Sequence, residues 1–210
     1  MVKLFKIQLN TKVTGGIPQI TPDLEALTNK SGSDFRYSGV WDKPYPANTV
    51  FTKFHLEKNS NLTDFMGFYG DFMIFSKRFY NLLCEQEIEG IQDFEVPILD
   101  GNITELFHFV HIWKPLLEDD FVDWQSSVFF KEDHGHFTYL KYKNVDDYKH
   151  SGSSPAKLFT KINSVQNNMI RFRHLLATNI FISENFKNSI IRAQITGIQF
   201  EELRLYQNGE

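Results

Sequence analysis

Histidine and acidic residues near the middle of the chain are the side chains whose types and spacing could support metal or acid–base chemistry. His134 and His136 are two positions apart, next to Asp133. On a strand, positions i and i+2 share a face, which can present two ligands to a metal ion. No cysteine and no second histidine–carboxylate motif stands at ligand spacing. We therefore interpret the segment as a polar turn entering a strand and expect no metal site.

A second histidine pair, His108 and His111, lies in an aromatic run from Phe107 to Trp113. On a strand these two positions face opposite sides, so they do not hold one metal ion together. We expect one histidine to be buried and hydrogen-bonded and the other to be exposed. No serine or cysteine elbow accompanies them, so a hydrolase-type site in the His108–His136 region is the weaker interpretation.

The strongest candidate for partner binding is an acidic segment ending in a tryptophan, with the residues Glu118, Asp119, Asp120, Asp123 and Trp124. Clustered carboxylates repel each other and favour solvent or a cationic partner, and tryptophan is enriched at binding hot spots. Eight acidic residues and four lysines occur between Leu116 and His150, which favours a basic protein partner. The alternative is a solvated acidic loop with Trp124 in the core.

Composition indicates a folded, soluble protein that does not bind nucleic acid. The chain has 210 residues, 41% hydrophobic and 23% charged, which is ordinary globular usage. A net charge of −4 gives no basic surplus to neutralise phosphates. The single cysteine, Cys84, cannot form an internal disulfide, and no segment predicts a membrane span or signal peptide. We expect a cytoplasmic protein. We also expect no cofactor, since Gly15-Gly16 lacks the lysine that follows the glycines of a phosphate-binding loop.

An internal repeat is the sharpest pattern in the sequence. Residues 73–92 and 180–199 align at an offset of 107 positions. The identical positions are Ser76/Ser183, Phe79/Phe186, Asn81/Asn188, Ile88/Ile195, Gly90/Gly197, Ile91/Ile198 and Gln92/Gln199. Chance would supply roughly one identity in such a window.

Each copy predicts a strand, a serine helix cap, a short helix and a second strand. The serine hydroxyl accepts a hydrogen bond from an otherwise unpaired backbone N–H, and a glycine permits the left-handed residue that ends a helix. Cys84 aligns with Ile191, which predicts a buried small hydrophobic residue rather than a nucleophile. The repeat therefore indicates structure and not chemistry.

These paired segments resemble the "immunity protein 11" type of bacterial polymorphic-toxin immunity protein. The aromatic strand 107–113, followed by Asp123-Trp124-Gln125-Ser126-Ser127, is similar to the family's central segment, and Met169 to Arg173 fits the strand before the second unit. The resemblance covers roughly residues 60–205 and transfers no catalytic residue. It implies a protein that binds and blocks a cognate toxin domain, usually encoded beside it.

We predict an α+β fold with a mixed, largely antiparallel sheet and two short helices from the repeat at 73–92 and 180–199. We expect one domain over 1–210, in which 1–60 supply an N-terminal strand and a wrapping segment and 61–210 form the core. The function predicted is toxin neutralisation without catalysis. A hydrolase and an adaptor or structural domain of a larger assembly are the alternatives, and the oligomeric state is open.

Overall fold

The computed structural model describes residues 3–15, 20–22, 43–45, 51, 53–70, 72–86, 88–161, 168–176 and 179–207. Within them the strands are β1 Leu4–Leu9, β2 Ile20–Pro22, β3 Phe54–Leu56, β4 Phe65–Tyr69, β5 Phe72–Ser76, β6 Ile91–Asp100, β7 Ile103–Ile112, β8 Val128–Asp133, β9 His136–Leu140, β10 Ser154–Phe159, β11 Met169–Arg171, β12 Ile180–Ser183, β13 Ile198–Leu203 and β14 Leu205–Tyr206. The helices are α1 Thr11–Thr14, α2 Lys77–Cys84, α3 Glu118–Phe121, α4 Val145–Tyr148 and α5 Glu184–Arg192.

The fold is α+β, with short helices and, among the described residues, three sheets where the sequence predicted one. The strand orders are β2-β3-β6-β7-β5-β4, β14-β10-β8-β9 and β11-β12-β1-β13. Most pairings are antiparallel, while β3–β6 and β10–β14 are parallel. The alternating patterns along the chain identify strands, but they do not specify which strands share a sheet.

The residues cluster into two compact units. The first unit comprises Met1–Ile7, Pro115–Lys187 and Glu201–Glu210, and the second comprises Gln8–Lys114 and Asn188–Phe200. The division of the chain into 1–60 and 61–210 stays a prediction, because much of 1–60, including Trp41 and Pro46, lies outside the described residues.

The second unit is built around the long β6–β7 hairpin. Ten residue pairs join these strands, from Ile91↔Ile112 to Asp100↔Ile103, and Gly101 turns the chain with a φ of 57°. The Asp100-Gly101 pair, a strong hairpin signal in the sequence, lies at this turn. One face of the sheet packs an aromatic core that includes Phe54, Phe72 and Phe109.

The two repeat helices begin as the sequence predicts. Ser76 Oγ accepts from the N–H of Phe79 at 3.2 Å, and Ser183 Oγ accepts from the N–H of Phe186 at 3.1 Å. The buried positions also correspond: Phe79 and Leu83 in α2 align with Phe186 and Ile190 in α5, and all four side chains are buried.

The prediction that glycine ends each helix is wrong. The helix α2 ends at Cys84, and Glu85 follows in the right-handed helical region. Gly90 has a φ of 72° in the turn just before β6, where an added Cβ would lie 2.2 Å from the Lys114 Cβ. Gly197 likewise has a φ of 82° directly before β13. Both glycines therefore lie immediately before a strand and not at the end of a helix.

A buried carboxylate joins the two repeat copies within the second unit. Asp64 accepts hydrogen bonds from Ser76 Oγ at 2.7 Å, from the Thr196 N–H at 2.9 Å and from Thr196 Oγ1 at 2.8 Å. Arg78 donates to both carboxylate oxygens through Nε and Nη2. Burial raises the pKa of Asp64, but the hydrogen bonds from Arg78, Thr196 and Ser76 outweigh it and lower the pKa to about 2.

The first unit places the four-stranded sheet β14-β10-β8-β9 over a separate core. Phe121, Trp124, Phe129 and Phe172 are among its buried side chains. The stretch Ser151–Pro155 has the small, polar composition of a flexible connection, but it contains the start of β10, which pairs with β8 through Ser154↔Phe130.

Candidate partner-binding surface

The acidic segment contains one residue that stabilises the fold from inside. Glu118 begins α3 and is only 2% exposed. Its Oε1 accepts hydrogen bonds from the backbone N–H of Leu175, at 2.9 Å, and of His174. Breaking these charge-assisted hydrogen bonds would leave two backbone donors unpaired, which costs free energy of folding. Glu118 therefore holds α3 and the segment at His174-Leu175 together within the first unit.

Two aspartates of this segment accept local hydrogen bonds from backbone N–H groups, and two are exposed to solvent. Asp123 Oδ1 accepts from the backbone N–H groups of Gln125 and Ser126, both at 3.2 Å. Asp119 Oδ1 accepts from the Val145 N–H at 3.0 Å, while the Asp119 side chain stays largely exposed. Asp120 is exposed as well. Only Asp119 and Asp120 of this set thus present a carboxylate broadly to solvent.

Trp124 is a core residue. It is 5% exposed, and its ring lies 5.6 Å from the Phe129 ring and 5.8 Å from the Tyr148 ring. The structure follows the alternative that the sequence left open, with the tryptophan in the core beneath an acidic surface. The partner-binding role assigned to Glu118, Asp119, Asp120, Asp123 and Trp124 stays a prediction, and the burial of Glu118 and Trp124 weighs against those two.

Both central histidines are buried, so the expectation that one is exposed is wrong. His108 Nδ1 lies 3.2 Å from Asp93 Oδ2, and its ring stacks on Tyr80 at 3.9 Å between centroids. His111 Nε2 lies 3.3 Å from the Lys43 carbonyl oxygen. The strand alternation correctly placed the two rings on opposite faces, but each face is covered by other residues of the second unit.

The other two histidines sit on a hairpin in the first unit. His134 is at the turn with a φ of 48°, and Gly135 follows with a φ of 83°. His136 pairs with Asp133 at the start of β9. Among the described residues, no group of three or more histidine, cysteine or acidic side chains could hold a metal ion. The hydrolase alternative used the His108–His136 region, and the two ends of that region belong to different units.

The β8–β9 hairpin is the feature that the sequence analysis missed. Every residue from Lys131 to Tyr139 is exposed. Phe137 and Tyr139 are 57% and 69% exposed and share one face of β9 because they are two positions apart. The register pairs Tyr139 with Phe130, whose neighbour in β8 on the opposite face, Phe129, is buried in the core. This places the exposed rings on the outer face of the sheet.

The same outer face continues across the sheet. Phe130 pairs with Ser154 of β10, and Lys157 pairs with Val128. Lys157 Nζ lies 4.8 Å from the Phe159 ring centre and 4.4 Å from the Tyr206 ring centre. We define the aromatic face as the outward side chains of β8, β9, β10 and β14, namely Val128, Phe130, Glu132, Phe137, Tyr139, Ser154, Lys157, Phe159 and Tyr206.

A signal for this face was present in the sequence. His136 to Tyr139 alternate polar and apolar side chains directly after His134-Gly135, as the second strand of a two-residue hairpin does, and Phe129-Phe130 put an aromatic on each face of the first strand. Alternation normally places the aromatic side chains toward the core. Here both faces of the pattern carry aromatics, so only the register shows which ones are exposed.

Comparison with known proteins identifies the family. The sequence matches the Immunity protein family (Imm11) over residues 11–204, nearly the whole chain. The chain belongs to this immunity protein family. The resemblance seen in the sequence is thereby confirmed, and it extends toward the N-terminus beyond residues 60–205. No curated protein matches the chain.

Membership in an immunity protein family gives the surface described above its context. Immunity proteins of this kind act on a toxin partner and are generally not catalysts. Of the helices within the described residues, none has the length and apolar character to cross a membrane. Because proteins of this family act on a partner protein, the features of greatest functional interest are the exposed side chains that such a partner could cover.

Proposed function

We propose that this chain neutralises a cognate bacterial toxin domain by tight, non-covalent binding and without catalysis. The observation that carries the proposal is the family match over residues 11–204. The partner is a toxin domain encoded beside the gene for this chain, and the two meet in the cytoplasm. A single cysteine suits that reducing compartment.

Two structural features support binding rather than catalysis. The buried His108 contacts Asp93 and Tyr80, so its ring is held by the fold and is covered from solvent. Burial, with hydrogen bonds to Asp93 and Cys84, raises the pKa of Tyr80, whose ring stacks on His108. In contrast, the aromatic face presents large side chains of the type that dominate protein interfaces.

The test is titration calorimetry with the purified toxin domain from the neighbouring gene, followed by growth of bacteria that express the toxin with and without this chain. Nanomolar or tighter affinity and restored growth are expected for a cognate pair. Growth without measurable binding at micromolar concentration would contradict the proposal and favour an activity of this chain. A double variant, His108→Gln with His136→Gln, should leave protection unchanged, whereas loss of protection despite retained binding would favour the hydrolase alternative.

A further inference from the structure

The β8–β9 hairpin carries large apolar side chains that the rest of its unit leaves exposed. Lys131 to Tyr139 are all exposed, including residues that face the core side of the sheet. The Phe130 and Phe137 rings contact each other at 5.7 Å between centroids, so the exposed side chains form a continuous patch rather than isolated rings. Contiguous exposed apolar surface rimmed by polar groups marks an interaction site more often than an ordinary surface.

The backbone of the same hairpin is also open to a partner. The strand β9 is at the end of the order β14-β10-β8-β9, and within the described residues no strand pairs with its far side. Natural sheets usually protect such an edge with a proline, a bulge or inward charges. From His136 to Leu140 the sequence contains no proline and no acidic residue, lysine or arginine, and the pairing with β8 has no bulge. The strand can therefore accept another strand as well as side-chain contacts.

Charges at the two ends of the aromatic face define what would bind there. Glu132 pairs with Phe137 across the hairpin, and its carboxylate forms no hydrogen bond or ion pair with any described residue. Lys157, on β10, is held over the Phe159 and Tyr206 rings. A complementary surface has an apolar centre, a cationic group facing Glu132 and an acceptor facing Lys157.

We propose that the aromatic face and the β9 edge are the surface on which the toxin domain docks, with a basic residue of the toxin paired to Glu132. This inference rests on the proposed function. It assigns the main affinity to Phe137 and Tyr139, because aromatic side chains dominate hot spots and these two are the most exposed aromatics on the face. In this proposal the attraction of a basic partner, predicted for residues 118–124, comes instead from Glu132 of the β8–β9 hairpin.

The second unit provides a matched control. On the β6–β7 hairpin, Leu106 is 55% exposed, nearly as much as Phe137. It is an exposed large hydrophobic side chain on a strand, but it is aliphatic, a class under-represented at hot spots. Leu106→Thr therefore removes a similar apolar group from a strand that the proposal leaves outside the interface.

The experiment compares toxin-domain binding by four proteins in calorimetry and kinetic binding assays: wild type, Phe137→Thr with Tyr139→Thr, Glu132→Lys, and Leu106→Thr. The double variant should weaken affinity by at least about 100-fold while its melting temperature stays the same, because both rings are exposed. Glu132→Lys should slow association and reverse its salt dependence. Leu106→Thr should bind within about twofold of wild type.

Each other result has a defined meaning. If wild type binds and inhibits the toxin and the double variant binds equally well, the docking surface is wrong while the proposed function stands. If only Leu106→Thr weakens binding, the interface lies on the second unit and the inference is overturned. If wild type itself does not bind, the proposed function has failed. Sedimentation of the chain alone tests a second copy as occupant: a dimer broken by the double variant, with toxin affinity unchanged, would overturn the proposal.

Discussion

Removing the charge of Asp64 should destabilise the second unit and change how its stability responds to acid. The Asp64 side chain is 10% exposed and accepts from Ser76, Arg78 and Thr196. Its pKa is about 2 in the fold, against an ordinary value of 3.8. That difference corresponds to about 2 kcal/mol of stabilisation at neutral pH. We expect Asp64→Asn to lose approximately this amount.

The sign of the pH effect follows from the direction of the shift. Because folding depresses the pKa, the contribution is complete above the unfolded value of 3.8 and is lost as pH falls toward the folded value of about 2. Urea unfolding followed by circular dichroism, at pH 7 and at steps from pH 4 to pH 2, measures it. The wild type should lose stability across that window more steeply than Asp64→Asn. Equal stability at pH 7, with parallel curves in acid, would refute the role assigned to Asp64.

Three further substitutions test the packing of the described residues. Glu118→Ala should cost about 2 kcal/mol in urea unfolding, because the backbone donors it caps lose a charged acceptor, and an unchanged midpoint would contradict this. Trp124→Ala should cost about 3–5 kcal/mol while Trp124→Phe costs less than about 1.5; equal, small costs would place the ring outside the core. Gly197→Ala should cost more than about 2 kcal/mol, since the new Cβ would lie 2.3 Å from the Phe65 carbonyl oxygen at a φ of 82°. The control Gly101→Ala, with nothing within 4 Å of the new Cβ, should cost about 1 kcal/mol in the same urea unfolding measurements.

Local features of the fold were predictable because their causes are local. The caps at Ser76 and Ser183 depend on a hydroxyl three residues before a backbone donor, which sequence spacing specifies. The turn at Gly101 depends on a residue that tolerates a positive φ. The spacing of apolar residues along a helix is also local, so the same helix positions are buried in both copies: Phe79 and Leu83 in α2, and Phe186 and Ile190 in α5.

Features that depend on long-range packing were not predictable. Cys84 aligns with Ile191, which predicted a buried thiol, but Cys84 is exposed and Ile191 is 55% exposed. The repeat alignment was correct, because both positions face solvent. The apolar character of isoleucine wrongly suggested that they face the core. An apolar residue on a surface helix is common, so its identity alone does not show burial.

The candidate surface was predictable only in part. Charge counting directed attention to the segment from Leu116 to His150, which contains the exposed β8–β9 hairpin. It could not show that Trp124 fills the core while Tyr139 faces solvent, because both are large aromatics in a strand-rich segment. That distinction depends on which face of the sheet meets the core, and the register sets it.

The most direct test of the account is a titration of toxin activity with this chain at toxin concentrations well above the dissociation constant. Stoichiometric binding predicts activity that falls linearly to zero at one equivalent, with both proteins recovered unmodified by mass spectrometry. Complete inactivation by a small fraction of an equivalent, or a covalent change in the toxin, would show turnover and contradict neutralisation by binding.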